Sequence, residues 1–460
     1  MQGLIKVPSG ALSVLERLEN AGYEAYVVGG CVRNMLLGIT PDDFDITTSA
    51  RPEETEKVFS DLRTVETGIK HGTVTVISDG EPYEITTFRA DGEYTDGRHP
   101  ESVSYSDSLE TDLARRDFTV NAMAYSPKRG LVDIFGGRED LRNGILRAVG
   151  DPDKRFTEDA LRILRALRFA STYGFHIEEK TAISAKKLAA RISLLSGERV
   201  FSELKKLIMG DFCEQILLDF PEIICEALPE LRLTVGFDQH SPHHVYDVYT
   251  HSVKAVSYSP KDAHIRLAAL LHDVGKPETF VFGKDGAGHF YGHSEASVRL
   301  CEQALMRLKA DNATLNTVRT LIKYHDPVIP TDEKSVKRWL NKLTPNVLLQ
   351  LLELKKADNM AQVSDSEASE TCKARLAGYA EIRAVIDKIN AENACFSIKQ
   401  LAVNGDDLAA LGVPRNKEMG KALSLILDAV ISGEVENNKS EIISFFLGKK
   451  EAKNFSHTPP

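Results

Sequence analysis

The sequence predicts an α+β protein: an N-terminal head built on a mixed β-sheet, followed by an elongated all-helical region. Three observations carry that reading. Short β-branched runs alternate with turn-rich connections between about residues 23 and 135. From Asp151 onward apolar residues recur at threes and fours, with few strand signals. The length of 460 residues, at roughly 150 per domain, suggests about three domains rather than one. Hydrophobic residues make up 42% and charged residues 27%, enough apolar surface to exclude wholesale disorder.

Taken in order, the first strands are read at Tyr26–Val28, Thr73–Ile77 and Tyr83–Phe88. Val27-Val28-Gly29-Gly30-Cys31-Val32-Arg33 places two glycines between a strand and a helix, where backbone N–H groups can approach a phosphate closely. Next comes Asp42-Asp43-Phe44-Asp45-Ile46. On a strand, Asp43 and Asp45 share one face while Phe44 and Ile46 bury on the other, and Asp42 is out of phase, as a cap would be. Two carboxylates on one face repel each other unless a divalent cation sits between them. That pairing suits metal-assisted activation of a hydroxyl against a nucleoside triphosphate; the bland alternative is a solvated acidic turn. Glu84, in a later strand, is a candidate third carboxylate.

Arg115-Arg116-Asp117-Phe118 follows, and arginines near such a site can bind triphosphate oxygens bidentately. Asp151–Phe169 reads as one helix capped at Thr157, with Asp159 and Arg162 three apart on one face and able to address a base edge. On that helix Arg165 stays near Arg162 while Arg168 swings away. Residues 115–168 hold twelve basic and eight acidic side chains, a local net of +4 inside a chain of net charge −10. The overall sign argues against a general nucleic-acid coat protein and leaves room for a local basic groove.

Residues 238–328 carry nine of the thirteen histidines. Composition alone yields roughly one His-Asp pair, so the two present (272–273 and 325–326) mean little singly. The ordered set His251, His272-Asp273, His293, His325 and Asp358 says more, because imidazole and carboxylate ligands suit a transition metal or magnesium. The alternative is a helical insert with core or solvated histidines. Ser364–Glu370 reads as a linker, Gly405 as a turn, Asp406 as a cap, and Met419-Gly420-Lys421 as helix punctuation. The polar tail Gly448–Pro460 reads as disordered. Six scattered cysteines with no CxxC, no signal-peptide core and no apolar run of bilayer length suggest a soluble, cytoplasmic protein with reduced thiols.

The series GGCVRNMLLG, DDFDITT, RRDFTVNAMAY, DIFGGREDL and EDALRILRALRF, in that order over roughly residues 15–210, resembles the bacterial class II tRNA nucleotidyltransferases. That family includes CCA-adding enzymes, separate CC- and A-adding enzymes, and poly(A) polymerases. The resemblance implies addition of C, C and A to a tRNA 3′ end from CTP and ATP. It implies that Gly30 and Arg33 contact nucleotide phosphates, that Asp43 and Asp45 hold magnesium, and that Arg116 binds nucleotide. Asp159 and Arg162 would be the amino-acid template, with Arg165 and Arg168 also on the nucleotide. Asp96–Pro100 matches the family's flexible loop, Ser196–Leu204 its neck motif, and Asn34 stands where many members carry aspartate. The stretch Phe396–Pro414 resembles a tail that grips tRNA.

Residues 240–362 are similar to the HD metal-dependent phosphohydrolases, whose core ligands would be His251, His272, Asp273 and Asp358, with His293 and His325 as the additional ones. The implied division is 1–150 nucleotidyltransferase head, 151–237 neck, 238–362 HD domain, 363–447 body and tail, and 448–460 disordered. Rival readings are a CC- or A-only enzyme, a poly(A) polymerase (disfavoured by the acidic net charge), an HD phosphohydrolase with an inert head, and a non-catalytic RNA-binding module. Oligomeric state is not legible.

Overall fold

The computed structural model describes residues 5–65, 72–91, 103–240, 245–284, 286–362 and 370–455. Two compact units make up the chain: Met1–Arg232 with Ala304–Ala310, and Leu233–Gln303 with Asp311–Pro460.

The first unit opens with α1 (Ser9–Asn20), whose Ala11, Val14, Leu15 and Leu18 recur at helical spacing and are buried together. Then come β1 (Ala25–Val28), α2 (Gly30–Leu36), β2 (Asp45–Thr48), α3 (Pro52–Val58), β3 (Thr64–Val65), β4 (Thr73–Ser78) and β5 (Glu81–Thr87). A short ladder of β6 (Arg89–Asp91) and β7 (Val103–Tyr105) follows, then α4 (Leu109–Ala114), β8 (Met123–Ser126), β9 (Gly130–Asp133) and α5 (Gly137–Asn143). Seven strands form one sheet in the order β3-β4-β5-β2-β1-β8-β9. The β2–β5 pair is parallel and its neighbours antiparallel, so the sheet is mixed. Central β1 is buried at all four positions, whereas β4 alternates between buried and half-buried residues, as a strand nearer the edge should.

Three sequence expectations need correction here. Asp43 precedes β2, which begins at Asp45, so the two carboxylates lie along extended chain and not within one strand. The helix expected over 151–169 is two helices, α6 (Pro152–Glu158) and α7 (Leu161–Tyr173). Asp159 breaks them with φ −143° and ψ 105°, and Asp151, not Thr157, caps α6 through its side chain. The DIFGG motif proves architectural: Asp133 accepts from the backbone N–H of Gly137 (2.7 Å) and Arg138 (2.8 Å), holding the start of α5. A Cβ on Gly137 would come within 2.1 Å of the Thr119 carbonyl oxygen.

The second unit is mostly helical, with a two-stranded hairpin at Phe280–Phe282 and Gly288–Phe290. The helix Val248–Tyr258 packs on Ala263–Leu271 and on Pro345–Ala361. Asp247, Asp262, Asp311, Asp332 and Thr344 cap its helices by side-chain bonds, so the starts were written locally in the sequence. A further core joins Leu408, Ile426, Leu427 and Ile442. In this region Asn404, not Asp406, caps Gly405–Ala410, and Met419–Lys421 lies inside the helix Lys417–Ser432. Of the tail expected to be disordered, residues 448–455 are helical, as part of the element Lys439–Phe455, and residues 456–460 lie outside the described residues. The loop Asp96–Pro100 and linker residues 364–369 lie outside the described residues. All six cysteines are buried and unbridged, and among the described residues no helix is long and apolar enough to cross a membrane.

Candidate functional site

The strand-to-helix turn after β1 is shaped by Gly29. Its φ is +81°, a region that penalises any Cβ, and a Cβ there would lie 2.9 Å from Arg116 Nη1. Gly30, the residue singled out from sequence, is less constrained: its Cβ would make an ordinary contact with Arg33. Beside this turn lies Asp45. The protein around it, the Asp43 carboxylate and Glu84 all push its pKa up, while Arg116 pulls it down. Glu84 is in register with Asp45 across the parallel β2–β5 pair, which places it on the same face of the sheet. Cys31 lies close enough that burial and then Asp45 push its thiol up to about 12. Two further carboxylates thus act on Asp45 against one guanidinium, and side chains of this chemistry fit a divalent metal held by Asp43 and Asp45.

Arg116 is aimed by a residue that sequence reasoning missed. Asp112 on α4 is fully buried; its Oδ1 accepts from Arg115 Nη2 at 2.7 Å and its Oδ2 from Arg116 Nη2 at 3.3 Å. Burial raises the Asp112 pKa, but the two guanidinium groups outweigh it and hold the carboxylate below its usual range. The signal available was modest: an aspartate four residues before Arg116 at a helix end.

The remaining arginines form a second group. Arg33 is 5% exposed, and its hydrogen-bond partners among the described residues are neutral. These are Asn34 Oδ1 (2.9 Å from Nη2), Tyr173 OH (2.8 Å) and Asn121 Oδ1. Asp117 organises the neighbours: it takes Arg165 Nη2 at 2.6 Å, Asn121 Nδ2 at 3.0 Å and the Phe118 N–H at 2.8 Å. Burial opposes its ionisation, yet Arg165 and Asn121 bring the Asp117 pKa down to about 2. Arg168 pairs with Glu203 on the helix Gly197–Ile208 at 3.1 Å.

Asp159 and Arg162 sit close in sequence but are held by different partners. Asp159 Oδ2 accepts from Arg199 at 2.8 Å and its Oδ1 from the Leu161 N–H at 3.0 Å. Arg162 donates to Glu158 at 2.8 Å and to the carbonyls of Arg155 (3.2 Å) and Arg115 (2.9 Å). The extended backbone at Asp159 is the reason: it turns the carboxylate off the face an unbroken helix would share with Arg162. Arg165 and Arg168 both lie over the Phe169 ring, and Arg165 and Arg162 both act on Asp117.

In the second unit the structure brings His251, His272, Asp273, His293, His325 and Asp358 together. His251, His272 and Asp273 form one set of convergent donor atoms; Asp273, His293 and His325 form another, with Asp273 common to both. His251 Nε2 lies 3.0 Å from Asp358 Oδ1 and 3.3 Å from His272 Nε2; His293 Nε2 lies 3.2 Å from His325 Nε2. All four Nδ1 atoms face backbone carbonyls, of Ala361 (3.2 Å), Ala269 (2.8 Å), Phe290 (3.0 Å) and Ile322 (2.6 Å) respectively. A carbonyl can only accept, so each Nδ1 carries a proton, and Nε2 is the atom each ring has left to offer a metal. Asp273 Oδ2 is buried without a hydrogen bond of good geometry, although Lys276 Nζ stands 2.6 Å away. These features fit a divalent metal. A cavity of about 1010 Å³ opens on Asp273, His293, His325 and Asp358, with Lys276 and Arg375 on its walls.

Three stretches of the chain match known family models. Residues 25–147 match the family described as "Poly A polymerase head domain", residues 174–220 the "Probable RNA and SrmB-binding site of polymerase A", and residues 293–446 the tRNA nucleotidyltransferase domain 2. A CCA-adding enzyme of Leuconostoc mesenteroides is 50% identical over 207 residues, covering 45% of this chain and 51% of that protein. The chain thus spans about half the length of that relative. The CCA-adding enzyme of Geobacillus stearothermophilus is 33% identical over 447 residues, 96% of this chain and 97% of the relative. Among solved structures, the Bacillus stearothermophilus CCA-adding enzyme in complex with CTP superposes with a TM-score of 0.70 at 28% identity, covering 98% of this chain and all of that one. The Thermotoga maritima CCA-adding enzyme complexed with tRNA shares the fold at TM-score 0.60 and 20% identity. With a head of this topology, this series of motifs and a relative matched nearly end to end, the chain belongs to the CCA-adding enzyme family.

Proposed function

We propose that this chain adds C, C and A to the 3′ end of tRNA, drawing on CTP and ATP, by metal-dependent nucleotidyl transfer. The observation that carries the reading is the junction of opposite charges at the β1–α2 turn. Asp43, Asp45 and Glu84 supply negative charge on one side, and Arg116 lies over Gly29 on the other. Asp43 and Asp45 would hold magnesium there. Bound to them, the ion would lower the pKa of the terminal hydroxyl and offset charge developing on the α-phosphate and pyrophosphate.

The chain's own residues do the rest. Arg116 and Arg33 bind triphosphate oxygens, with Arg165 and Arg168 behind them, and Gly29 keeps the turn open for that approach. Arg162 and Asp159 read the base edge; their present partners, Glu158 and Arg199, hold both groups extended until a base displaces or joins them. Incubating the protein with tRNA lacking its last three nucleotides and each labelled triphosphate tests the proposal. Incorporation of C, C and A supports it; growth of a long A tract, or C alone, selects a rival. Asp43→Ala should abolish incorporation while tRNA binding persists. A tRNA substrate and six unbridged thiols support a cytoplasmic location.

A second reading is favoured by one specific observation, the four oriented imidazoles. His251, His272, Asp273, His293, His325 and Asp358 would hold divalent metal for phosphate-ester hydrolysis in an HD-type domain at about residues 238–362. Metal there would supply a hydroxide and polarise the phosphoryl group. Metal analysis of the purified chain, and phosphatase assays with and without chelator, test it.

A further inference from the structure

Phe169 lies on α7, 6% exposed, and no motif assigns it chemistry. Three guanidinium groups nevertheless converge on its ring: Arg168 at 4.1 Å from the centroid, Arg33 at 5.0 Å and Arg165 at 5.3 Å. Phe118 meets the same ring edge-on at 5.8 Å, and Tyr173 lies nearly parallel at 6.3 Å while itself facing Arg33 at 4.6 Å. Three cations this close repel one another, and burial together with that mutual repulsion lowers the pKa of Arg33 and Arg168.

Two carboxylates compensate part of the charge. Asp117 takes Arg165 and Glu203 takes Arg168, whereas among the described residues the hydrogen-bond partners of Arg33 are neutral, and Asp117 acts on it only through space. An aromatic face attracts a guanidinium through its quadrupole without neutralising it and without occupying the in-plane N–H donors. A third carboxylate would have cancelled the surplus positive charge. A ring holds it in place and leaves it available.

We infer that Phe169 is a positioning residue that gathers Arg33, Arg165 and Arg168 into one array with a surplus positive charge for the triphosphate. The inference rests on the nucleotidyl-transfer reading above. It is tested in the full chain by replacing Phe169 with mono-, di- and trifluorophenylalanine, which drain the ring's negative face while nearly preserving its shape. CTP and ATP dissociation constants, kcat and melting temperature are the readouts.

The dissociation constants should rise step by step to about tenfold at three fluorines, the loss expected when three weak cation–π contacts fade together. In the same series kcat should stay within about twofold, and melting temperature should fall with fluorine number, because the same contacts are present in the free protein. Phe169→Tyr, which keeps the π face, should bind CTP as the parent does. A flat fluorine series overturns the inference, even if Phe169→Leu loses affinity, because the ring then acts by shape alone. Absence of CTP binding in the unmodified protein overturns the underlying reading instead.

Discussion

Arg116 reaches across the head so that its Nη1 stands 2.9 Å from where a Cβ on Gly29 would project. The glycine is therefore required twice, once for its φ of +81° and once for the guanidinium it admits. Gly29→Ala should destabilise the fold by about 1–2 kcal/mol, the usual cost of forcing a Cβ into the left-handed region. It should weaken CTP binding about tenfold or more, since Arg116 must retreat. Calorimetric titration with CTP beside a thermal melt separates the two effects; loss of stability with intact CTP affinity would detach Arg116 from the phosphates.

Arg162 leans on Glu158 and two backbone carbonyls, not on Asp159. Arg162→Ala is expected to erode discrimination against UTP and GTP more than turnover with any triphosphate. Glu158→Gln should produce a milder form of the same defect, because it loosens Arg162 without removing it. Misincorporation measured with each of the four triphosphates checks both; unchanged selectivity in Arg162→Ala would remove it from the template.

Asp117 gives a pH signature. Its folded-state pKa, about 2, is below the ordinary carboxylate value of 3.8, so its ionised form is the one the fold favours. The stabilisation is complete above about pH 4 and fades as pH falls through the folded value. Asp117→Asn should therefore cost about 2 kcal/mol at pH 7, with the difference from the parent shrinking between about pH 4 and pH 2. Denaturant unfolding at a series of acid pH values would show it; a gap that is constant with pH would place the effect outside ionisation.

Asp273 belongs to both donor sets in the second unit. Asp273→Asn should lower bound divalent metal at both positions, whereas His293→Ala should affect one set and spare the other. Metal content after dialysis is the direct readout, and CTP incorporation by the head should continue in both variants. Equal metal content in Asp273→Asn and the parent would make the cluster a hydrogen-bonded core.

Much of this site was legible in residue types and order. Paired carboxylates two apart, an arginine pair, an EDxxR run and a spaced set of histidines each name a chemistry whose ligands must be those side chains. Strand alternation in β4 was equally readable, because period is a local property, whereas the helix caps read at Thr157 and Asp406 fall instead to Asp151 and Asn404. What the sequence by itself determined was thus which groups exist and roughly which face each element buries.

Their partners were settled only by the tertiary structure. Nothing local says that Asp159 would adopt an extended backbone and face Arg199, 40 residues later, or that Arg33 and Arg168 would meet on one ring. Asp112 belongs to no motif, and Phe169, although it ends the EDALRILRALRF run, has no role assigned to it there. Their importance arises because β1, α4 and α7 converge, and a buried guanidinium must find whatever acceptor or aromatic face that convergence supplies. Side-chain identity is written along the chain; the choice of partner is a long-range outcome of packing.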